Sequence, residues 1–364
     1  MTATDPALQA LIDRIGQARA ARTPLAIRGG STKDFYGGSP SGEAFDVTAL
    51  KGISSYEPSE LVVTVRCGTP LEELERTLAE QGQCLPFEPP RFKPGGTVGG
   101  MVAAGLAGPS RAAAGGVRDY VLGVTLLNGR GEVLSFGGQV MKNVAGYDVS
   151  RLLAGSLGVL GVICEVSLKV LPLQPATTTL RFELDQPTAL KTLHGWAAQP
   201  LPINASAWWD GMLVVRLRGA RAAVDAACAK LGGEHVDDAL ATTFWQGLRD
   251  HQDEFFVGAQ KAVTHGASLW RLSLPAIAPP LPLSGEQLVE WGGAQRWICT
   301  STPAAQLRDA AARVGGHATL FMAQDKSAGT FAPLAAPLDR LHRELKAAFD
   351  PDRIFNPGRL YPDL

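Results

Sequence analysis

Three segments of this chain gather residue types that suit a bound polyanion. Arg28-Gly29-Gly30-Ser31-Thr32-Lys33 offers consecutive backbone N–H groups, a hydroxyl and a cation, a set matched to a pyrophosphate. Between Gly95 and Gly116 stand eight glycines: Gly95, Gly96, Gly99, Gly100, Gly105, Gly108, Gly115 and Gly116. Each loses ~0.5–1 kcal/mol of ordering entropy against alanine, a loss that makes sense where backbone must pass very close to something else. Gly155-Ser156-Leu157-Gly158-Val159-Leu160-Gly161-Val162-Ile163 enters a strand through three glycines, so the chain can lie flat against a planar ring. Three such turns in one half of the chain point to a nucleotide-type cofactor; three unrelated turns would be a poor explanation.

The glycine-rich block invites a dinucleotide-fold reading, with Asp119 at a suitable distance to hold a ribose. That reading fails on context, because the turn would have to follow a buried parallel strand. Pro86, Pro89, Pro90 and Pro94 precede it and exclude a central strand. A bare surface loop is opposed by Val98, Met101, Val102 and Leu106, which mark the block as packed.

The elements that must position these turns are legible in outline. Apolar residues Leu8, Leu11, Ile12 and Ile15 predict a helix over 7–19, capped by Asp5 with Pro6 at its first position. Leu25–Ile27 predicts a strand feeding the first turn, and Leu61–Val65 a β-branched strand followed by a helix from Pro70 to Gln81. Tyr120–Leu127 and Glu132–Phe136 predict a hairpin about Asn128-Gly129-Arg130-Gly131, and Val159–Leu171 another strand. The Pro- and Thr-rich stretch 173–178 marks a domain boundary. Beyond it, strands at 179–184 and 213–217 and helices at 187–197 and 219–231 predict an α+β domain, possible on a split βαβ plan. Residues 276–287 read as a proline-rich loop, and Leu338–Phe349 as an amphipathic helix. No sequence repeat stands out.

Composition narrows the function classes. Lys and Arg total 34 against 35 Asp and Glu, so no field favours nucleic acid or an anionic membrane. Five scattered cysteines, Cys67, Cys84, Cys164, Cys228 and Cys299, include no C-x-x-C pair, which argues against an iron–sulfur or zinc site. Met-Thr-Ala-Thr-Asp-Pro lacks a basic region followed by an apolar stretch, and no apolar run approaches ~18 residues. The expectation is a cytoplasmic protein, peripheral to a membrane only through a partner.

In this order, the three turns resemble the FAD-binding domain of the vanillyl-alcohol oxidase / p-cresol methylhydroxylase (PCMH) family, and Asn356-Pro357-Gly358 resembles its C-terminal tail. Cys84-Leu-Pro-Phe-Glu-Pro-Pro90, Gly99-Gly-Met-Val-Ala-Ala-Gly-Leu-Ala-Gly-Pro109 and Val140-Met-Lys-Asn-Val-Ala-Gly-Tyr-Asp-Val-Ser-Arg-Leu152 look like one branch, the flavin-binding subunits of bacterial glycolate oxidases, which are glycolate dehydrogenases. The likeness is dense over the first 175 residues and thinner beyond. It implies an α+β protein: a two-subdomain PCMH-type FAD-binding domain at 1–175, a smaller α+β substrate or cap domain at 176–349, and a tail at 350–364 returning to the FAD domain.

Carried over residue by residue, Arg28, Gly29, Gly30, Ser31, Thr32 and Lys33, with Gly95, Gly96, Thr97, Gly99 and Gly100, would hold the pyrophosphate and ribityl region. Ser110, Gly116 and Asp119 would lie beside the flavin, Gly158, Gly161 and Val162 along the ring or adenine, and Lys142 and Asn143 at the flavin edge. The first histidine is His194, outside that domain, so FAD would be held non-covalently. The resemblance implies a small hydroxyacid substrate, glycolate first and D-lactate second, oxidised to the 2-oxoacid. Its implied partners are a second flavin-binding catalytic subunit and an iron–sulfur subunit. An electron relay or scaffold, with catalysis on the partner, is the alternative, because the paired histidines of the catalytic relatives are missing here. Arg271 and Arg296, within apolar strand-like runs, are candidates to face a substrate carboxylate or a structural ion pair. His251 is a candidate base.

Overall fold

The computed structural model describes residues 5–139 and 147–364. The first helix, α1 (Pro6–Ala21), starts as its cap residue demands: the Asp5 carboxylate accepts hydrogen bonds from the Ala7 and Leu8 amides. It buries Leu8, Leu11, Ile15 and Ala18 against β1 (Leu25–Arg28) and β2 (Glu43–Asp46), which pair in parallel. Next come β3 (Ile53–Glu57), β4 (Val62–Arg66), α2 (Leu71–Glu80), β5 (Gln83–Cys84) and α3 (Val98–Ala104). The short helices α4 (Arg111–Ala114) and α5 (Val117–Tyr120) lead into β6 (Val121–Leu127) and β7 (Val133–Gly137). After α6 (Val149–Leu152) the chain forms β8 (Val162–Lys169) and β9 (Leu171–Pro172).

Five of these strands make an antiparallel sheet in the order β3-β4-β8-β6-β7. Leu71, Leu74 and Leu78 of α2 and Val98, Met101 and Val102 of α3 pack on it in one core. Burial of each such side chain contributes roughly 1.5–3 kcal/mol. The glycine-rich block is therefore anchored at its centre by a packed helix. β8 begins at Val162, later than the Val159 expected, because Gly158 and Gly161 take φ values of 74° and 149° that a strand does not.

The second sheet holds eight strands, every pairing antiparallel. Its first half is β10 (Ala176–Glu183), α7 (Gln186–Ala197), β11 (Ile203–Trp209), β12 (Met212–Gly219), α8 (Arg221–Leu231) and β13 (Glu234–His235). The spatial order β13-β10-β12-β11 is that of a split βαβ unit. After α9 (Asp238–Asp250) and α10 (Glu254–Thr264) comes the second half: β14 (Ser268–Ser273), β15 (Glu286–Glu290), β16 (Gln295–Thr300), α11 (Ala304–Arg313) and β17 (His317–Met322). Its order, β15-β16-β14-β17, repeats the first half read from the other edge, and β11 joins β15 at the seam. The proline-rich segment between β14 and β15 stands where the first half has α7. This duplication of topology has no counterpart in the sequence.

One face of the second sheet is covered by α7, α8 and α11. The other turns toward the first body, where Ala205, Ala207, Leu288 and Trp297 share a core with Tyr36, Ala104, Leu106 and Leu157. A buried ion pair crosses the junction. Arg216 donates to Glu88 at 2.8 Å, to Asn204 Oδ1 at 2.7 Å and to Ser110 Oγ at 2.8 Å. Burial pushes the Glu88 carboxyl up, but Arg216 and Arg218 outweigh it and hold the group below its ordinary value.

The last helix, α12 (Ala336–Phe349), returns the chain to the first body. Lys346, fully buried, donates to Asp350 at 2.7 Å and to the carbonyls of Val159 and Phe355. Asp350 also accepts from the amides of Ile354 and Phe355. Removing one member of such a pair leaves an uncompensated buried charge. Lys346→Met and Asp350→Ala are each expected to destabilise the chain by about 3–5 kcal/mol. The Lys346→Met/Asp350→Ala double variant should lose less than the two singles summed, measured by urea unfolding.

Candidate functional site

The three glycine turns meet in one open cleft of about 890 Å³. Its first wall is the segment that leaves β1. Among the described residues, the backbone N–H groups of Gly29 through Lys33 make no hydrogen bond. Ser31 takes a left-handed φ of 50°, a conformation that occurs in the backbone concavities that bind anions. The second wall interlocks with the first. A Cβ on Gly30 would sit inside the Gly95 carbonyl group, so the turns touch backbone to backbone. Thr97 caps α3 by accepting from the Gly100 amide at 3.2 Å, and Thr97, Gly99 and Gly100 face the cleft.

Leu157, Gly158, Gly161 and Val162 make the third wall. A Cβ at Gly158 would lie 2.6 Å from the Asn356 amide nitrogen, and φ there is 74°. Asn356 and Arg359 of the C-terminal tail close the fourth side. Sequence reasoning noted this tail as a motif and did not identify its two polar side chains as cleft residues. The available signal was the placement of amide and guanidinium around Pro357-Gly358.

The cleft is cationic. Arg28 is paired with Asp34 at 2.6 Å. Lys33 donates to Thr32 Oγ1 at 3.3 Å and its ammonium lies 5.7 Å from the centre of the Phe92 ring. Burial pulls its pKa down to about 8, with the negative charge of Asp250 opposing.

Phe92 leads from the cleft to the second sheet. Its ring meets His251 edge-on at 5.0 Å, and His251 lies flat on Phe256 at 3.6 Å and edge-on to Trp297 at 4.9 Å. Burial, aided by the positive charge of Arg271, holds the imidazole well below its ordinary pKa and therefore neutral. Arg271 donates from Nη2 to the Tyr36 hydroxyl at 3.1 Å, while its buried Nε has no partner among the described residues. The guanidinium lies 5.7 Å from the Tyr36 ring and 5.8 Å from that of Phe321. The structure thus brings Arg271, His251, Tyr36 and Lys33 to one junction.

Other expected site residues lie elsewhere. Arg296, 2% exposed, donates to the carbonyls of Gly293, Pro279 and Ala278 and serves the proline-rich loop. Gly95 and Gly96 stand behind the first turn and do not line the cleft; the Gly96 carbonyl accepts from Leu71. Ser110 is drawn to Arg216 and Asn204, and Gly116 donates its amide to the Asp119 carboxylate at 2.8 Å, a local cap away from the cleft. Lys142 and Asn143 lie outside the described residues. No group of three or more metal-ligating side chains occurs among the described residues, and no helix there is long and apolar enough to cross a membrane.

The donor set fits FAD. Open amides, a buried ammonium and the Thr32 hydroxyl suit its diphosphate, and bare glycine backbone admits a flat ring system. A family profile described as an FAD binding domain matches residues 7–137. The chain is 48% identical to the glycolate oxidase subunit GlcE of Escherichia coli (strain K12), over 98% of each chain. It is 33% identical to a D-lactate dehydrogenase of Anaerostipes hadrus, over 43% of this chain and 33% of that one. Against the glycolate oxidase subunit GlcD of Bacillus subtilis (strain 168) it is 30% identical, over 44% of this chain and 34% of that one. A solved alkyldihydroxyacetonephosphate synthase has the same fold, with a TM-score of 0.64 at 14% identity, over 96% of this chain and 75% of that one.

Two outcomes follow for the cleft. Gly30→Ala must part the first two walls and is expected to weaken FAD binding about tenfold or more, read by flavin fluorescence titration. Lys33 is charged below pH 8 and loses its proton above it, so FAD affinity should fall as pH rises from 7 to 9. Lys33→Met should flatten that dependence.

Proposed function

The chain belongs to the family of the glycolate oxidase E subunit, an FAD-binding family of oxidoreductases, and on that premise we propose that it oxidises a small 2-hydroxyacid as one flavoprotein subunit of a larger dehydrogenase. Glycolate is the first substrate and D-lactate the second, each converted to its 2-oxoacid. FAD held in the cleft supplies a two-electron acceptor that can be discharged one electron at a time. The receiving iron–sulfur centre belongs to another polypeptide, since the five cysteines here are scattered over the turn after β4, β5, β8, α8 and β16. A second flavin-binding subunit completes the assembly.

One observation carries the reading: a half-buried arginine, whose buried Nε has no partner among the described residues, stands beside a neutral, buried histidine that is joined to the cleft through Phe92 and Lys33. Arg271 binds the substrate carboxylate through its open donors, and the Tyr36 hydroxyl orients the guanidinium. His251 accepts the proton of the substrate hydroxyl, which a neutral imidazole can do and an imidazolium cannot. The rings of Phe92, Phe321 and Trp297 exclude water from this proton transfer.

A second reading, an electron relay or scaffold with oxidation on the partner subunit, is favoured by the stacking of His251 on Phe256. A ring packed that closely also suits an aromatic core.

The visible spectrum of the isolated chain under anaerobic glycolate separates the two. Bleaching of the flavin band is expected; a band that persists with both glycolate and D-lactate supports the relay. Arg271→Ala should slow the reductive half-reaction about a hundredfold with flavin content unchanged. Because the His251 pKa lies well below 6.5, the base stays unprotonated as pH falls through that value. The rate should hold there, and a decline centred at 6.5 would assign the proton to an ordinary histidine.

A further inference from the structure

The tail 350–364 docks on the first body through contacts that do not involve the cleft. Ile354 and Phe355 are buried beside Leu25 and Phe45, with the Phe45 and Phe355 rings stacked at 6.4 Å. The tail also meets β1 in a single parallel bridge: the Leu25 amide donates to the Ile354 carbonyl at 2.6 Å and the Asn356 amide to the Leu25 carbonyl at 2.9 Å. The buried Lys346–Asp350 pair fixes the start of this segment.

Beyond that anchor the tail reaches the cleft with two side chains. The Asn356 amide accepts from the Ile27 N–H at 2.7 Å and donates to the Leu157 carbonyl at 2.6 Å. It thereby ties the end of β1 to the third glycine turn. Arg359 donates to the carbonyls of Asp34 at 3.1 Å and Tyr36 at 2.7 Å, and also to those of Lys33 and Gly38. Arg359 thereby fixes the chain where it leaves the first turn, at Lys33 through Gly38. Its partners are neutral carbonyls, and it makes no ion pair among the described residues. Its charge therefore adds to the field of the cleft.

We infer that the tail is a cofactor-retaining latch, with Asn356 and Arg359 as positioning residues that hold the first and third glycine turns in register for the diphosphate of FAD. The inference rests on the FAD reading of the cleft and adds a role that the glycine turns alone do not imply. Arg359 acts in two ways, by geometry through its grip on the turn and by charge through the cleft field.

The test is fluorescence titration of the full-length apoprotein with FAD at several salt concentrations, alongside the thermal midpoint of each apoprotein. Arg359→Gln is expected to weaken FAD binding roughly tenfold or more and to reduce the salt dependence of binding. Arg359→Lys should recover the salt dependence and only part of the affinity, because an ammonium keeps the charge without the planar grip. Asn356→Ala should weaken binding with the salt dependence unchanged. An Arg359→Gln affinity within threefold of the parent overturns the latch. So does a loss of affinity accompanied by a lowered apoprotein midpoint and an unchanged salt slope, which marks a folding role only. If the parent apoprotein does not bind FAD, the cofactor reading fails and the latch with it.

Discussion

The cleft depends on a contact between two backbones. Gly30 lies against the carbonyl of Gly95 with no room for a side chain, and this approach sets the distance between the first two walls. The Thr97 side chain likewise occupies the place where Gly29 would carry a Cβ, and caps α3 at the same time. Each glycine loses ~0.5–1 kcal/mol of ordering entropy, offset here by the buried side chains of α3 that pin the block to the first sheet. A polyanion is then met by amides that no carbonyl among the described residues has taken.

The charged groups divide by whether the protein itself neutralises them. Glu88 answers Arg216, Asp350 answers Lys346, and three donors of Arg296 are taken by two carbonyls of the proline-rich loop and that of Gly293. These are buried cations with full sets of partners, and their place is in the junction and the anchors. Lys33 and Arg271 are different. Among the described residues, Lys33 has a single neutral acceptor in Thr32, and Arg271 has one phenol and an idle Nε. A cation taken partly out of water without a counterion is destabilised, as the lowered pKa of Lys33 shows. An anion bound between the two bodies would relieve it.

The FAD-binding half was legible because its requirements are local. A glycine that must admit another backbone, a capping Asp5 before Pro6 and a β-branched run at Val62–Val65 each announce themselves within a few residues. The second half was legible only in kind, as α+β. Arg271 and Arg296 look alike in sequence, each an arginine in an apolar run, and they separate only through strand register. Arg271 stands opposite Trp297, and Arg296 stands opposite Leu272, so the two point to opposite faces of one sheet. A shift of one residue in that pairing would bring both arginines to one face. Ser110 was misplaced for a related reason: its partner Arg216 lies on a strand more than a hundred residues away. The repeated strand order of the two halves was invisible because topology can persist when side-chain identity does not.

That register also explains how the second sheet serves two cores. Trp270, Leu272 and Ile298 point to α11, while Leu269, Arg271 and Trp297 point to the cleft side. The small side chains of Ala205 and Ala207, on the strand at the seam, let the first body approach that face closely. The same face holds Glu290, whose carboxyl burial pushes up to about 7 while Trp297 and Gln295 donate to it. A carboxyl poised near neutrality and an imidazole held uncharged leave Arg271 as the dominant fixed charge of the group around His251. A face with one uncompensated cation and a neutral proton acceptor is complementary to a monoanion that must lose a proton, which is the chemistry of a 2-hydroxyacid.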